Sequence, residues 1–213
     1  VLMTGGMVRA GIVKPRFLRE LELGGITFSE AVFLGGFREF AGDEAGLARE
    51  LGVDGDNEVD AMAFGMRQAF GPLPTSDIVE FRSDGVAASW RDESWNVPGR
   101  RLRVVAAPSS EPQRRRANTA DTFRFWAVRH GKATDRVLII TTPIYVPYQA
   151  AVAVEVLGLE FGHQVETVAV SAAASNLGEH SQKFLPHHQL QELRSAVSGF
   201  HSLRQKLVSY SDR

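Results

Sequence analysis

Apolar residues along this chain follow two rhythms that alternate from start to end. Short runs of β-prone residues occur at 1–4, 30–34, 102–107, 136–141 and 165–170. Between them, apolar positions recur every three or four residues, the spacing of one helix face. Local chemistry marks the helix ends. Pro15 suits the first turn of a helix over 15–23. Asp43 can cap a helix that stops near Gly52, and Asp56 or Asn57 one that stops near Gly71. Asn118 with Asp121 forms an N-cap pair opening a helix that runs to Gly131. Further helices are predicted over 149–157 and over 188–207, where Leu190, Leu193, Val197, Phe200, Leu203 and Leu207 share roughly one face.

Strands that alternate with helices need crossover connections, which favour a parallel sheet. The run at 136–141 is almost wholly apolar, as expected of a strand covered on both faces. The predicted fold is therefore α/β: one domain over 1–213, three-layer and Rossmann-like, with a mainly parallel sheet of about five strands and helices on both faces. Residues 72–100 break the rhythm. Residues 78–81 read as an extra strand, and 89–99, with Trp90 and Trp95, as a loop or insertion. This segment is expected to be either a packed surface excursion or a lid. The terminal helix, 186–210, is expected to cover the sheet, to close a pocket or to form the seam of a homodimer.

Composition narrows the function classes. The 213 residues are 44% hydrophobic and carry 24 basic and 25 acidic side chains, for a net charge of −1. That balance argues against nucleic acid as a partner. Cysteine is absent, which removes disulfides, thiolate nucleophiles and Cys-ligated metals. No apolar run reaches the roughly 18 residues that span a bilayer, and no basic-then-apolar leader precedes the first strand. The cytoplasm is the default expectation, with no membrane partner.

In open α/β sheets, ligands collect where strands end and loops begin. Four such ends are legible. Gly5-Gly6 and Gly35-Gly36 let a ligand approach backbone N–H groups, and Arg9 and Arg38 follow closely. Tight turns alone would also account for both pairs. Neither matches GxGxxG, so no dinucleotide fingerprint is read. The third end carries Ser109, Ser110, Glu111 and Arg114-Arg115-Arg116 before Asn118, Thr119 and Thr122. Arginines ahead of a helix N-terminus favour an anion; a solvated basic loop with an ordinary cap is the equal alternative. The fourth end carries Thr141, Thr142, Tyr145, Tyr148 and Gln149. The carboxylates nearest these ends, and so the candidate acids and bases, are Glu44, Glu58, Asp60 and Glu111. The six histidines show no HExxH spacing, so no metal site is expected. No GxSxG elbow occurs, against an α/β-hydrolase.

The same four ends resemble the YdcF/SanA-like family of α/β proteins. The resemblance is carried by Met3-Thr4-Gly5-Gly6, by Phe33-Leu34-Gly35-Gly36-Phe37-Arg38 with Glu44, by Glu111 with Asn118 and Thr119, and by the 141–150 segment, over roughly residues 1–170. Val146 and Gln149 stand where the family pattern has His and Arg. The resemblance implies a nucleotide-like or S-adenosylmethionine-like ligand.

Together these readings give an expected function. The chain acts by transfer or hydrolysis on a nucleotide-like or phosphorylated anionic small molecule at the strand C-terminal edge. Glu44, Glu58 and Glu111 would move protons. Gly5, Gly6, Arg9, Gly35, Gly36, Arg38, Ser110, Arg115, Arg116, Asn118, Thr119, Thr141, Thr142, Tyr145 and Gln149 would bind the ligand. The alternative is a protein that binds a nucleotide or S-adenosylmethionine without catalysis.

Overall fold

The structure, a computed structural model, describes residues 1–211; the last two positions of the expected domain, 212 and 213, lie outside the described residues. Seven strands form one mixed sheet: β1 (Leu2–Thr4), β2 (Glu30–Gly35), β3 (Asp77–Phe81), β4 (Trp90–Val97), β5 (Arg100–Ala106), β6 (Arg136–Thr141) and β7 (Gln164–Ala169). Their spatial order is β3-β4-β5-β2-β1-β6-β7. β5, β2, β1, β6 and β7 run parallel, and β4 and β3 add an antiparallel edge.

The helices are α1 (Met7–Leu23), α2 (Glu44–Glu50), α3 (Glu58–Phe70), α4 (Thr119–Arg129), α5 (Val146–Ala153) and α6 (Pro186–Ser211); α5 continues into a π-helical turn over Val154–Glu160. Strand side chains alternate between two layers. Met3, Phe33 and Val104 pack with Met62 and Met66 of α3, while Leu2, Val32 and Val105 pack with Phe123, Trp126 and Val152 of α4 and α5. Both faces are therefore covered, as the apolar strands require.

The sheet has seven strands and mixed direction, where about five mainly parallel strands were expected. The five expected strands are the parallel ones, and the difference lies in 72–100. The 89–99 stretch is mostly strand β4, paired with β5 over Arg91–Val97, and so neither loop nor lid. Its sequence lacks alternation because two neighbouring acids are buried on ion pairs. Glu93, 0% exposed, takes Arg67 and Arg91 at 2.7 Å each. Asp92 takes Arg103, and His130 at 2.8 Å. Those pairs let a polar sequence occupy a covered strand.

Helix α1 begins eight residues before Pro15, which sits inside it. An interior proline costs about 3 kcal/mol. Val8, Ile12, Val13 and Leu18, all buried, offset that at about 1.5–3 kcal/mol each. The helix also packs backbone-close on α3. A Cβ on Gly65 would lie 1.8 Å from the Gly11 carbonyl oxygen, and one on Gly11 would lie 2.8 Å from the Ala61 carbonyl oxygen. This contact locks the second turn of α1, at Gly11, against the first two turns of α3, at Ala61 and Gly65.

Helix α6 does not cover the sheet. It lies on α5 through Ala196 and Gly199, the latter against Tyr148 and Ala151. Small residues allow that close approach, and the stripe of Leu190, Leu193, Val197 and Phe200 is left exposed. No helix is long and apolar enough to cross a membrane among the described residues.

Candidate functional site

The C-terminal ends of β1, β2, β5 and β6 open onto a cleft of about 500 Å3. Gly5, Gly6, Gly36, Arg38, Glu58, Arg115, Arg116, Asn118, Thr119, Tyr145 and Gln149 line it. Eleven of the expected site residues thus share one rim. Thr4, Phe37, Glu192 and Ser195, which were not among the expected ligand residues, also line it. Glu192 and Ser195 bring α6 to the cleft, the pocket-side position that was one of three expected for the terminal helix.

The floor is built around Glu58, the first residue of α3. Its carboxylate accepts hydrogen bonds from Gly6 N at 2.7 Å, Met7 N at 3.0 Å and Gly36 N at 3.3 Å. Gly5 and Gly35 make room for it. A Cβ on Gly5 would lie 2.8 Å from Glu58 Oε1, and one on Gly35 would lie 3.0 Å from Oε2. The glycine pairs were expected to admit a ligand; in the structure it is the chain's own Glu58 carboxylate that approaches them. Met7 takes a left-handed φ of 64°, a strained value for a side chain of this size, where its N–H meets Glu58. Asn57 caps α3 through Val59 N and Asp60 N, and Glu58 N donates to the Arg38 carbonyl at 2.8 Å. Glu58 is thereby fixed from both directions.

Beneath the turn lies Lys14, 0% exposed. Its ammonium donates to the Thr4 carbonyl, to Thr4 Oγ1 at 3.0 Å and to the Gly5 carbonyl at 3.1 Å. Burial pushes its pKa down to about 7, against the pull of Glu58. Thr141, also buried, continues this network through Thr4 Oγ1 at 3.2 Å.

Two guanidinium groups, Arg38 and Arg116, reach the cleft with no hydrogen bond or ion pair to an acid among the described residues. Burial, then the neighbouring Arg38, lowers the pKa of Arg116, while Glu58 acts the other way. Arg115 is engaged instead. It pairs with Asp121, with Glu111 at 3.3 Å and with Ser110 at 2.8 Å. Asp121 in turn completes the Asn118 capping box of α4. Asp121 is held below its usual carboxylate range: its contacts with Arg115 and Asn118 outweigh burial, the largest single influence, which acts upward. Arg115 and its partners hold the loop that presents Arg116.

Gln149 is buried, and its side-chain carbonyl oxygen has no hydrogen-bond partner. Glu192, half-buried and without an ion pair among the described residues, has its pKa raised by burial. Burial, and then Glu192, raises Tyr145 and Tyr148.

The remaining expected residues lie around the cleft. Glu44 accepts from Val8 N at 3.3 Å and meets Arg9 at 3.5 Å. Arg9 and Thr142 line a second cavity of about 280 Å3, which shares Gly6 and Tyr145 with the cleft. Val13, Val170, Leu177 and Phe184 make its wall largely apolar. Glu111 and Ser110 face outward on the Arg115 loop. No group of three or more His, Asp or Glu suited to a metal occurs among the described residues.

No family model matches the chain, and no solved structure matches it. An uncharacterized protein of Mycobacterium bovis is 31% identical over 214 residues, covering 97% of this chain and 59% of its own length. Uncharacterized proteins from two strains of Mycobacterium tuberculosis match to the same extent. The chain thus spans about three fifths of the length of the curated relatives that it resembles.

Proposed function

We propose that the cleft binds a nucleotide-like or phosphorylated small molecule and that the protein acts on it by transfer or hydrolysis. The observation that carries this reading is the pair Arg38 and Arg116, two guanidinium forks without acid partners facing one cavity. Forks of this kind hold phosphate or carboxylate in two-point contact. Their place also fits. The parallel strands run in the order β5-β2-β1-β6-β7, a Rossmann-like arrangement whose direction of build-up reverses at β1 and β6, where such sheets receive ligands. The adjoining apolar cavity would take a flat moiety joined to the anion. The resemblance to YdcF/SanA-like proteins at the four strand ends points the same way.

Among the expected acids, Glu58 alone faces the cleft, and its oxygens are committed to backbone amides. Glu192, with its pKa raised by burial, is the better placed group for proton transfer. The commitment of Glu58 also favours a second reading, binding without turnover.

A thermal-shift screen of nucleotides and sugar phosphates tests the proposal. A ligand at 100 times its dissociation constant adds about 2.7 kcal/mol of stability, and an Arg38→Ala/Arg116→Ala variant should lose that gain. If no phosphorylated compound stabilises the protein, or the double variant responds equally, the proposal fails. Recovery of a stabilising ligand unchanged after incubation would select the non-catalytic reading.

A further inference from the structure

Helix α6 has two faces. Its inner face sits on α5, with Ala196 buried and Gly199 against Tyr148 and Ala151. Its outer face carries Leu190, Leu193, Val197 and Phe200, between 52% and 68% exposed. Arg204 and Leu207 continue the row, so that its steps are 3, 4, 3, 4 and 3 residues. A helix laid on a globular core shows a broad apolar face, whereas a narrow row of period 3.5 is the seam of two paired helices. The row from 190 to 207 is about 26 Å long at about 1.5 Å per residue. The helix that fits it is α6 itself. Elsewhere among the described residues, exposed large apolar side chains stand singly or lie on the edge strand β3, and no other helix carries such a row.

We infer that the outer face of α6 pairs antiparallel with α6 of a second copy, making the protein a homodimer. A twofold axis between Val197 and Phe200 sets Val197 against the second copy's Phe200, Leu193 against its Arg204 and Leu190 against its Leu207. Each contact then occurs twice, as a twofold interface requires. A parallel pair would instead set Arg204 against the second copy's Arg204, like charges enclosed in an apolar seam. With Val208, 55% exposed, and the stem of Arg204 alongside, each copy offers about 600 Å2 of apolar surface, so a pair buries about 1,200 Å2, the lower bound of specific interfaces. The dimer is therefore reversible. Glu192 and Ser195, which line the cleft, fall on the inner side of α6 and take no part in the seam, so the inference is independent of the anion site.

Sedimentation equilibrium tests the pairing. At about 100 µM the native chain should sediment at twice its own mass and dissociate on dilution. Val197→Glu/Phe200→Glu replaces exposed side chains, so it should keep the native circular dichroism and sediment as a monomer at the same concentration. The chain has no cysteine, which makes single cysteines clean probes of direction. Under oxidation, a mixture of Leu193→Cys and Arg204→Cys chains should form the mixed disulfide, and neither chain alone should cross-link to itself. A native chain that is monomeric at about 100 µM overturns the inference and leaves the row to a partner of another kind. A dimer that survives Val197→Glu/Phe200→Glu also overturns it, because another surface then holds the copies together. Self-cross-linking of either single-cysteine chain, without the mixed product, overturns the antiparallel register.

Discussion

Replacing Glu58 by Gln changes one atom of the side chain and removes one charge, yet it should be among the most damaging substitutions in the cleft. The carboxylate accepts from Gly6 N, Met7 N and Gly36 N at 2.7, 3.0 and 3.3 Å. A glutamine can keep the first two on its carbonyl oxygen. Its amide nitrogen then faces the Gly36 N–H, donor against donor. Lys14, fully buried with its pKa near 7, loses the negative charge that supports its ammonium. Removing one partner from a buried charge network costs about 3–5 kcal/mol, and each charge-assisted hydrogen bond contributes about 1.5–3 kcal/mol. Glu58→Gln should therefore lose about 3–5 kcal/mol. Urea unfolding near neutral pH, followed by the fluorescence of buried Trp95 and Trp126, measures it as a lower midpoint at unchanged slope. Glu44→Gln is the control. Its pair with Arg9 spans 3.5 Å, with side chains 29% and 23% exposed, and should cost no more than about 1 kcal/mol. The reasoning is refuted if Glu58→Gln costs less than about 1 kcal/mol or no more than Glu44→Gln.

Other perturbations test the scaffold. Gly65→Ala places a Cβ 1.8 Å from the Gly11 carbonyl oxygen, so α1 and α3 must separate; a loss of at least about 2 kcal/mol in urea unfolding is expected, and a neutral result would contradict the close packing. Lys14→Met should change the pH dependence of stability. With a folded pKa of about 7 against 10.5, native Lys14 is charged in both states below pH 7 and is released only in the folded state above it. The native chain should therefore gain stability relative to Lys14→Met as pH rises from about 7 towards 10.5; parallel curves would exclude a buried lysine. Asp92 is held below 3.8 by its contacts with His130 and Arg103, although burial, the largest single influence, acts upward. Its contribution is present above that pH and lost as pH falls through the lowered value. Asp92→Asn should therefore be less stable than the native chain near neutrality, and the gap should close in acid. A gap that is constant with pH would contradict the ion pair.

Much of the frame was legible because burial on both faces leaves an apolar signature. The five parallel strands and the Asn118 cap appear where the sequence places them; of Asp56 and Asn57 it is Asn57 that caps α3, while Asp43 makes no side-chain capping bond. What escaped was set by partners distant in sequence. Strand β4 reads as polar because Asp92 and Glu93 depend on Arg103, His130, Arg67 and Arg91 to be buried. Helix α1 passes through Pro15 because tertiary packing outweighs one lost hydrogen bond. At the site, the glycine pairs were read as room for a ligand, and nothing local tells that Glu58 fills the space. The arginine run was visible as a block, yet only the fold assigns Arg115 to Asp121 and leaves Arg116 to the cleft. Gln149 looked like the loss of a charge; its unpaired oxygen emerges only once its burial is known.

The proposed function requires an anion to lodge between Arg38 and Arg116. A crystal of the native chain soaked in tungstate, a heavy tetrahedral stand-in for phosphate, tests that directly. Anomalous density is expected in the cleft within hydrogen-bonding distance of both guanidinium groups. Density confined to other basic surfaces, with the cleft bare, would contradict it.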